Sequence, residues 1–548
     1  MSPFTGILWC VLIVTVAAIK DDNEVDRFPR LFHLDNYERC LSKKNGLYCL
    51  GTFQLSSDGP NSLYDSLKTL KYCRTNKQAK TLEDVELPHI IVALVVGVLL
   101  VLNVVENSIL SIWSVKENWR RLICTYDDSD PIRAALHPIQ GTRVLLLLLV
   151  IIAHAIETTY KLHLANPIFL ETAQRNPMSI FLKNGTSSVQ AFIVISNFLF
   201  AYMLLGYSQK KKVSLSMLPM CILYRIVRIS PVYLLTIGFM SSWWRLAGDG
   251  PMWSDLVISE SEICRQKFWM HAFYVHNLVH PEKWCMLQSW FLAVDMQLYV
   301  IACFLTLLLV NNRRRALYVI GWLFVASCVL NSGLAYIYEW KSLMYLLSPE
   351  NLRNTFEGVT SFWYFYISPW GSLPACLLGL FVAHLQFYAK EQGFQITNTK
   401  WIVHLYHIAV PLCVAWVFTG HIMSTWTTRL SMATYIGIER PMFSAICALL
   451  LYGSIDNLDN CFRRWMAWRG WQVPARLSLC VLVIHRVINT QLVAVRTAAV
   501  TTSVVAITIE VIITTFATYL LAIPMMLLVE MPIQRTFVAY ISRGKQLE

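Results

Sequence analysis

The chain has 548 residues, 56% of them hydrophobic and only 15% charged, with a mean hydropathy of +0.48 and a formal net charge of +12. That balance excludes a soluble globular domain and fits a polytopic membrane protein. The positive charge is concentrated in short clusters at the edges of apolar stretches, such as Lys210–Lys212 and Arg313–Arg315, which points to topology and anionic lipid rather than to nucleic acid.

In chain order, Gly6–Ala18 is an apolar core of signal-peptide length that ends in small residues and meets Lys20-Asp-Asp-Asn-Glu24 at once. Residues 1–19 therefore read as a cleaved signal peptide rather than a spanning helix. Residues 20–88 mix charge, Gly and Ser and carry Cys40, Cys49 and Cys73, which suits a small lumenal or extracellular cap domain stapled by cysteines. Residues 89–548 read as one helical membrane domain. Its stretches long enough to span are 89–113, 143–162, 189–207, 216–243, 290–310, 316–336, 366–386, 401–419, 431–455, 477–494 and 503–529. The fold class expected is an all-α polytopic membrane protein with about eleven transmembrane helices and a small cysteine-containing lumenal N-terminal segment. Two spans look broken or re-entrant: 216–243 holds Arg225 and Arg228 ahead of Pro231, and 431–455 holds Glu439-Arg440-Pro441.

Lys and Arg are most abundant in loops 114–142, 208–230, 311–315, 387–400, 454–476 and 530–548. The positive-inside bias thus makes these loops and the C-terminal tail cytosolic, in the plasma membrane or the endoplasmic reticulum. The sequon Asn184-Gly-Thr186 then falls on the lumenal side as a glycosylation site. Cys264 and Cys285, which bracket the largest lumenal loop of the membrane domain, are expected to form a disulfide.

The chemistry centres on His154, an imidazole inside the apolar run that begins at Val144. A titratable group inside a membrane helix is a functional-site candidate. Arg143 lies eleven residues earlier, within about 20° of the same helix face and roughly 16 Å away along the axis. His485, nine residues beyond Arg476, reaches a similar depth, whereas Asp295 lies only about 8 Å inside the lumenal end of its own helix. Asp295 and Gln297 are expected to bind or orient an acceptor. Glu157 is read as reaching lumenal water. His276 and His280 lie five and nine residues after His271, offsets that place them on different helix faces from it, unlike the i, i+4 pair of a zinc helix, and all three are read as loop histidines; no metal site is expected.

Several strings carry a family resemblance. Trp290-Phe-Leu-Ala-Val-Asp295-Met-Gln297-Leu-Tyr299, Gly141-Thr-Arg143 through His154, Val189-Gln-Ala-Phe-Ile-Val-Ile-Ser196 through Tyr202, Tyr224-Arg225-Ile-Val-Arg228-Ile-Ser-Pro231-Val-Tyr233, Pro369-Trp370, and Leu477-Ser478 to His485 occur in this order. Together they resemble the nose-resistant-to-fluoxetine-like proteins of invertebrates, the animal branch of the acyltransferase type 3 family, and residues 20–88 look like a short form of that family's amino-terminal domain. The chain departs from the family strings in four places. Gln190 stands for an Asp and Asn197 for a Gly; Gly371-Ser372-Leu373 lacks an Arg, and Leu482 replaces a Tyr. Loss of the Asp and the Arg together fits either a compensated ion pair removed as a unit or a lost substrate-binding pair.

The resemblance implies transfer of an acyl group from a donor such as acyl-CoA to a hydroxyl of a lipid, glycan or other small acceptor, with His154 as the catalytic residue and Asp295 assisting. No cofactor is needed beyond acyl-CoA as substrate. Arg143, Arg225 and Arg228 are expected to grip its phosphates, and Gln297 and His485 to contact substrate. The alternative, which the four departures favour, is a non-catalytic membrane binder or transporter of lipids or hydrophobic small molecules.

Overall fold

The computed structural model describes residues 86–104, 111–125, 135–176, 185–423 and 428–547. The expected signal peptide, most of the cap segment with its three cysteines, and the sequon's Asn184 lie outside the described residues. Among those described there is no β-strand; one isolated bridge joins Leu164 to Val500. The longer helices are α1 (Leu87–Val104), α2 (Val115–Ile123), α3 (His137–Thr159), α4 (Pro167–Arg175), α5 (Gly185–Ser208), α6 (Leu218–Met240), α7 (Ser259–Ala272), α8 (Trp290–Leu309), α9 (Arg313–Tyr338), α10 (Pro369–Glu391), α11 (Lys400–Met423), α12 (Arg429–Ile455), α13 (Ser478–Ala494), α14 (Val504–Met525) and α15 (Met531–Leu547), with short helical pieces at Leu343–Leu346, Pro349–Arg353, Cys461–Met466 and Gln472–Arg476. The protein is an all-α polytopic integral membrane protein.

Nine helices among the described residues are long and apolar enough to cross a membrane, and a tenth span is made by Arg469–Arg476 and α13 together, bent by 61°. Of the eleventh expected span, 89–113, the described residues are the shorter α1 and a turn at Ser111–Trp113. The two spans expected to break do not. α6 runs through Pro231 and α12 through Pro441 without interruption, because a proline inside a packed membrane helix is tolerated where neighbours hold the turn around it. Near Pro441 in α12, Trp416 Nε1 donates to the Glu439 carbonyl at 2.9 Å, and the Arg440 guanidinium ties α12 to the Gly371 carbonyl of α10 at 3.2 Å.

Helix starts follow local chemistry. Asn312, Ser368, Thr428 and Ser503 each accept a backbone N–H three residues on, and Pro369 follows its cap directly, which satisfies donors that the first turn leaves open. The centre of the bundle is α5, α8, α10 and α12, with α3 packed on α5 and α13. α5 and α10 approach closely at Gly379, where a Cβ would lie 2.5 Å from the Val194 carbonyl oxygen; small residues of this kind let membrane helices meet backbone to backbone. α9, α11 and α14 turn apolar faces outward, with Trp322, Val329 and Phe516 all largely exposed, as helices facing lipid do.

Candidate active site

α3 and α13 run side by side in the same direction. Arg143 near the start of α3 donates to the Ser478 hydroxyl at the start of α13, 2.8 Å, and further along His154 Nδ1 meets His485 Nε2 at 2.8 Å. Their rings stack, with centroids 5.1 Å apart. The other nitrogen of His485, Nδ1, lies 3.1 Å from the Val481 carbonyl oxygen. A carbonyl only accepts, so His485 Nδ1 carries the proton and its Nε2 offers a lone pair. His154 Nδ1 must then donate to that lone pair, which leaves His154 Nε2 with a lone pair of its own.

His154 lines a partly open cavity of about 100 Å³. Its walls come from α3 (Val150, Ala153), α5 (Val189, Phe192), the start of α8 (Trp290, Phe291) and the segment ahead of α10 (Leu343, Leu347, Phe356, Phe362, Tyr366). Glu157 and Gln288 supply most of the remaining polar lining. This cavity lies toward the end of the bundle that carries Cys264 and Cys285, whose sulfurs are 2.08 Å apart.

Glu157 does not reach open water as expected from sequence. It is 8% exposed and held by both terminal nitrogens of Arg486, at 2.7 and 3.1 Å, with Lys161 3.9 Å away. A carboxylate inside a membrane bundle is retained when a guanidinium matches it in two-point geometry. Arg486 was not singled out in the sequence. The signal was present: once His154 stands beside His485 in parallel helices, Glu157 and Arg486 fall at neighbouring heights with opposite charge.

The remaining predicted residues gather elsewhere. Arg225 forms an ion pair with Asp295, both also bonded to the Ser196 hydroxyl, and its guanidinium lies over Tyr299. This pair does not line the His154 cavity. Gln297 donates to the Tyr274 carbonyl, 2.7 Å, and to Asn277, 2.8 Å, so it anchors the loop after α7. Arg143 and Arg228 lie at the far end of the bundle, where both act electrostatically on the buried Glu530; neither lines the cavity. His271 and His276 are not ordinary loop residues: both are buried and stacked at 3.9 Å, with His271 bonded to Tyr233 and His276 to Ser289. Among the described residues no group of three or more metal-ligating side chains converges.

The departures are also placed. Gln190 donates to the Ser372 hydroxyl at 3.2 Å, both fully buried between α5 and α10. Asn197 turns back onto the Ile193 carbonyl and packs beside Gly379. Leu482 lines the cavity next to His154, and Leu373 packs against the core.

The fold and the paired histidines define a helical integral membrane protein with an imidazole facing an internal cavity. No known family profile matches the chain, and no solved structure does. Over 83 residues, 15% of this chain, it is 30% identical to "Nose resistant to fluoxetine protein 6" of Caenorhabditis elegans; the matched stretch spans 10% of that protein.

Proposed function

We propose that the protein is an integral-membrane acyltransferase that moves an acyl group from a thioester such as acyl-CoA to a hydroxyl, with His154 as general base. The observation that supports this most is the directional chain Val481 carbonyl, His485, His154, which fixes one tautomer and turns the basic Nε2 of His154 away from His485. In the reaction, Nε2 takes the hydroxyl proton as the oxygen attacks the thioester carbonyl. The tetrahedral intermediate expels the thiolate, and the proton passes from His154 to that sulfur. Atoms and charge balance without a cofactor. The motif order in the sequence and the partial similarity to the worm protein support the same reading. The first 19 residues as a signal peptide, Asn184 as a glycosylated site and a cytosolic C-terminal tail belong to this proposal.

The test is purified protein in nanodiscs with radiolabelled acyl-CoA and a panel of hydroxyl acceptors. Label should transfer, fall by two orders of magnitude or more in His154→Ala, and fall less in His485→Ala. Transfer that His154→Ala leaves unchanged removes His154 from the mechanism. A second reading, a non-catalytic binder or transporter of hydrophobic molecules, draws on the neutral Gln190–Ser372 contact and on the distance of Arg143, Arg225 and Arg228 from the cavity wall. Wild-type protein that neither binds nor hydrolyses acyl-CoA decides for it.

A further inference from the structure

We infer that the molecule received beside His154 is a lipid alcohol, an apolar body ending in a hydroxyl, rather than a glycan, a peptide or a lipid ester. The inference deepens the acyl-transfer reading by naming the acceptor, but its binding argument stands on the cavity alone. The walls are overwhelmingly aliphatic and aromatic, with Phe192, Phe291, Phe356 and Phe362 among them. A sugar or a peptide backbone brought here would leave several polar groups without partners, each at a cost comparable to a lost buried hydrogen bond.

Two of the polar groups that line the cavity, Gln288 and His154, offer acceptors. Gln288 is 4% exposed and donates its Nε2 to the Val483 carbonyl at 3.1 Å, while its Oε1 is buried with no partner. Because the bonded atom faces a carbonyl, it is the nitrogen, and the atom left over is an acceptor. His154 Nε2 is an acceptor by the tautomer argument. The Glu157 oxygens are already engaged by Arg486. A ligand end placed against these two acceptors must therefore donate, while the Trp290 indole N–H and the Tyr366 hydroxyl, which also line the cavity, can donate to it. A hydroxyl does both; an ester, ketone or ether only accepts and leaves Gln288 and His154 facing lone pairs. An alkylammonium also donates, but it finds the Glu157 charge already matched by Arg486, and loses its hydration for no net ionic gain.

The experiment uses full-length protein in nanodiscs and a long-chain alcohol carrying a diazirine, with the crosslinked residues mapped by mass spectrometry. Competitors are added at equal mole fraction in the bilayer: dodecanol, its methyl ether, dodecane, dodecyl glucoside and dodecylammonium. Label is expected on the cavity walls, with dodecanol the strongest competitor. Gln288→Met should reduce the advantage of the alcohol over the ether by about fivefold, the worth of one neutral hydrogen bond. Ala153→Phe, which fills the cavity from α3 without touching the Gln288 bond, should abolish labelling in protein that still elutes as a single species. The inference is overturned if the ether or the ammonium competes as well as the alcohol, if the glucoside competes better, or if Ala153→Phe leaves labelling intact. The two readings fail separately. Alcohol capture without acyl transfer removes the enzyme and keeps this site, whereas acyl transfer to a sugar with no alcohol capture keeps the enzyme and removes this acceptor.

Discussion

At Glu157 and Arg486 two full charges are held inside the bundle, 9% and 3% exposed in their side chains. Burial of either alone would be costly, and the two-point geometry is what makes the pair tolerable. Glu157→Ala should therefore destabilise the protein by about 3–5 kcal/mol, since it leaves a buried guanidinium unmatched. The double replacement Glu157→Leu with Arg486→Met should recover most of that loss, because it removes the desolvated charges together. Thermal unfolding of the purified variants in detergent measures both; a double variant no better than the single one would show that the pair is not the source of the loss. The two histidines were legible in the sequence because an imidazole has no routine place in an apolar run. Their salt-bridge neighbours were not, because Glu157 one turn from a helix end also suits a residue reaching water, and only the pairing of α3 with α13 distinguishes the two.

The segment that Cys264 and Cys285 close is held down by buried titratable groups. Lys267 donates to the carbonyls of His276 and His280, at 3.2 and 2.7 Å, and its ammonium is pushed down to about 8 by burial, opposed by Glu282 and reinforced by Lys283. Burial likewise lowers His271 well below the usual imidazole value and brings His276 down to about 3, with Lys267 adding to both. The other groups facing this stack are Tyr233 from α6, Tyr274 and Ser289. The docked segment thus binds fewer protons than the opened one between about 3 and 6.5, so docking weakens as pH falls through that window. Amide exchange over residues 273–289, corrected for its intrinsic pH dependence, should rise from pH 7 to pH 5, by at most about tenfold per unit for each histidine. His276→Asn should flatten the slope, and exchange independent of pH would refute the argument. Because Leu287 and Gln288 continue from this segment into the cavity wall, acid should also loosen the site. At the scale of elements the sequence located nearly every helix by its apolar run. It misjudged Pro231 and Pro441 as breaks, since a proline reads alike whether or not neighbours clamp its turn, and it began the tenth span at 477, missing the short helix through Pro474 that meets it at 61°.

Over the whole molecule, charge is sorted between the two ends. The end reached by the starts of α3 and α9 gathers Arg120, Arg121, Arg143, Arg313, Arg464 and Arg476, three of them in ion pairs with Glu117, Glu391 and Asp459, while toward the disulfide end Glu157 is paired with Arg486. In the orientation we propose, the first end faces the cytosol and the disulfide the oxidising compartment, which meets the positive-inside rule and the redox demand together. That orientation can be read chemically, because Cys124 and Cys461 are both exposed at the arginine-rich end and Trp269, 70% exposed, lies on the helix that carries Cys264. In sealed microsomes, whose cytosolic face is outward, a membrane-impermeant maleimide should modify Cys124 and Cys461 at once. A cysteine introduced as Trp269→Cys should react only after the membrane is permeabilised. The reverse pattern would invert the protein, put the disulfide in a reducing compartment where it would not persist, and bring a cytosolic thioester to the cavity from the disulfide side.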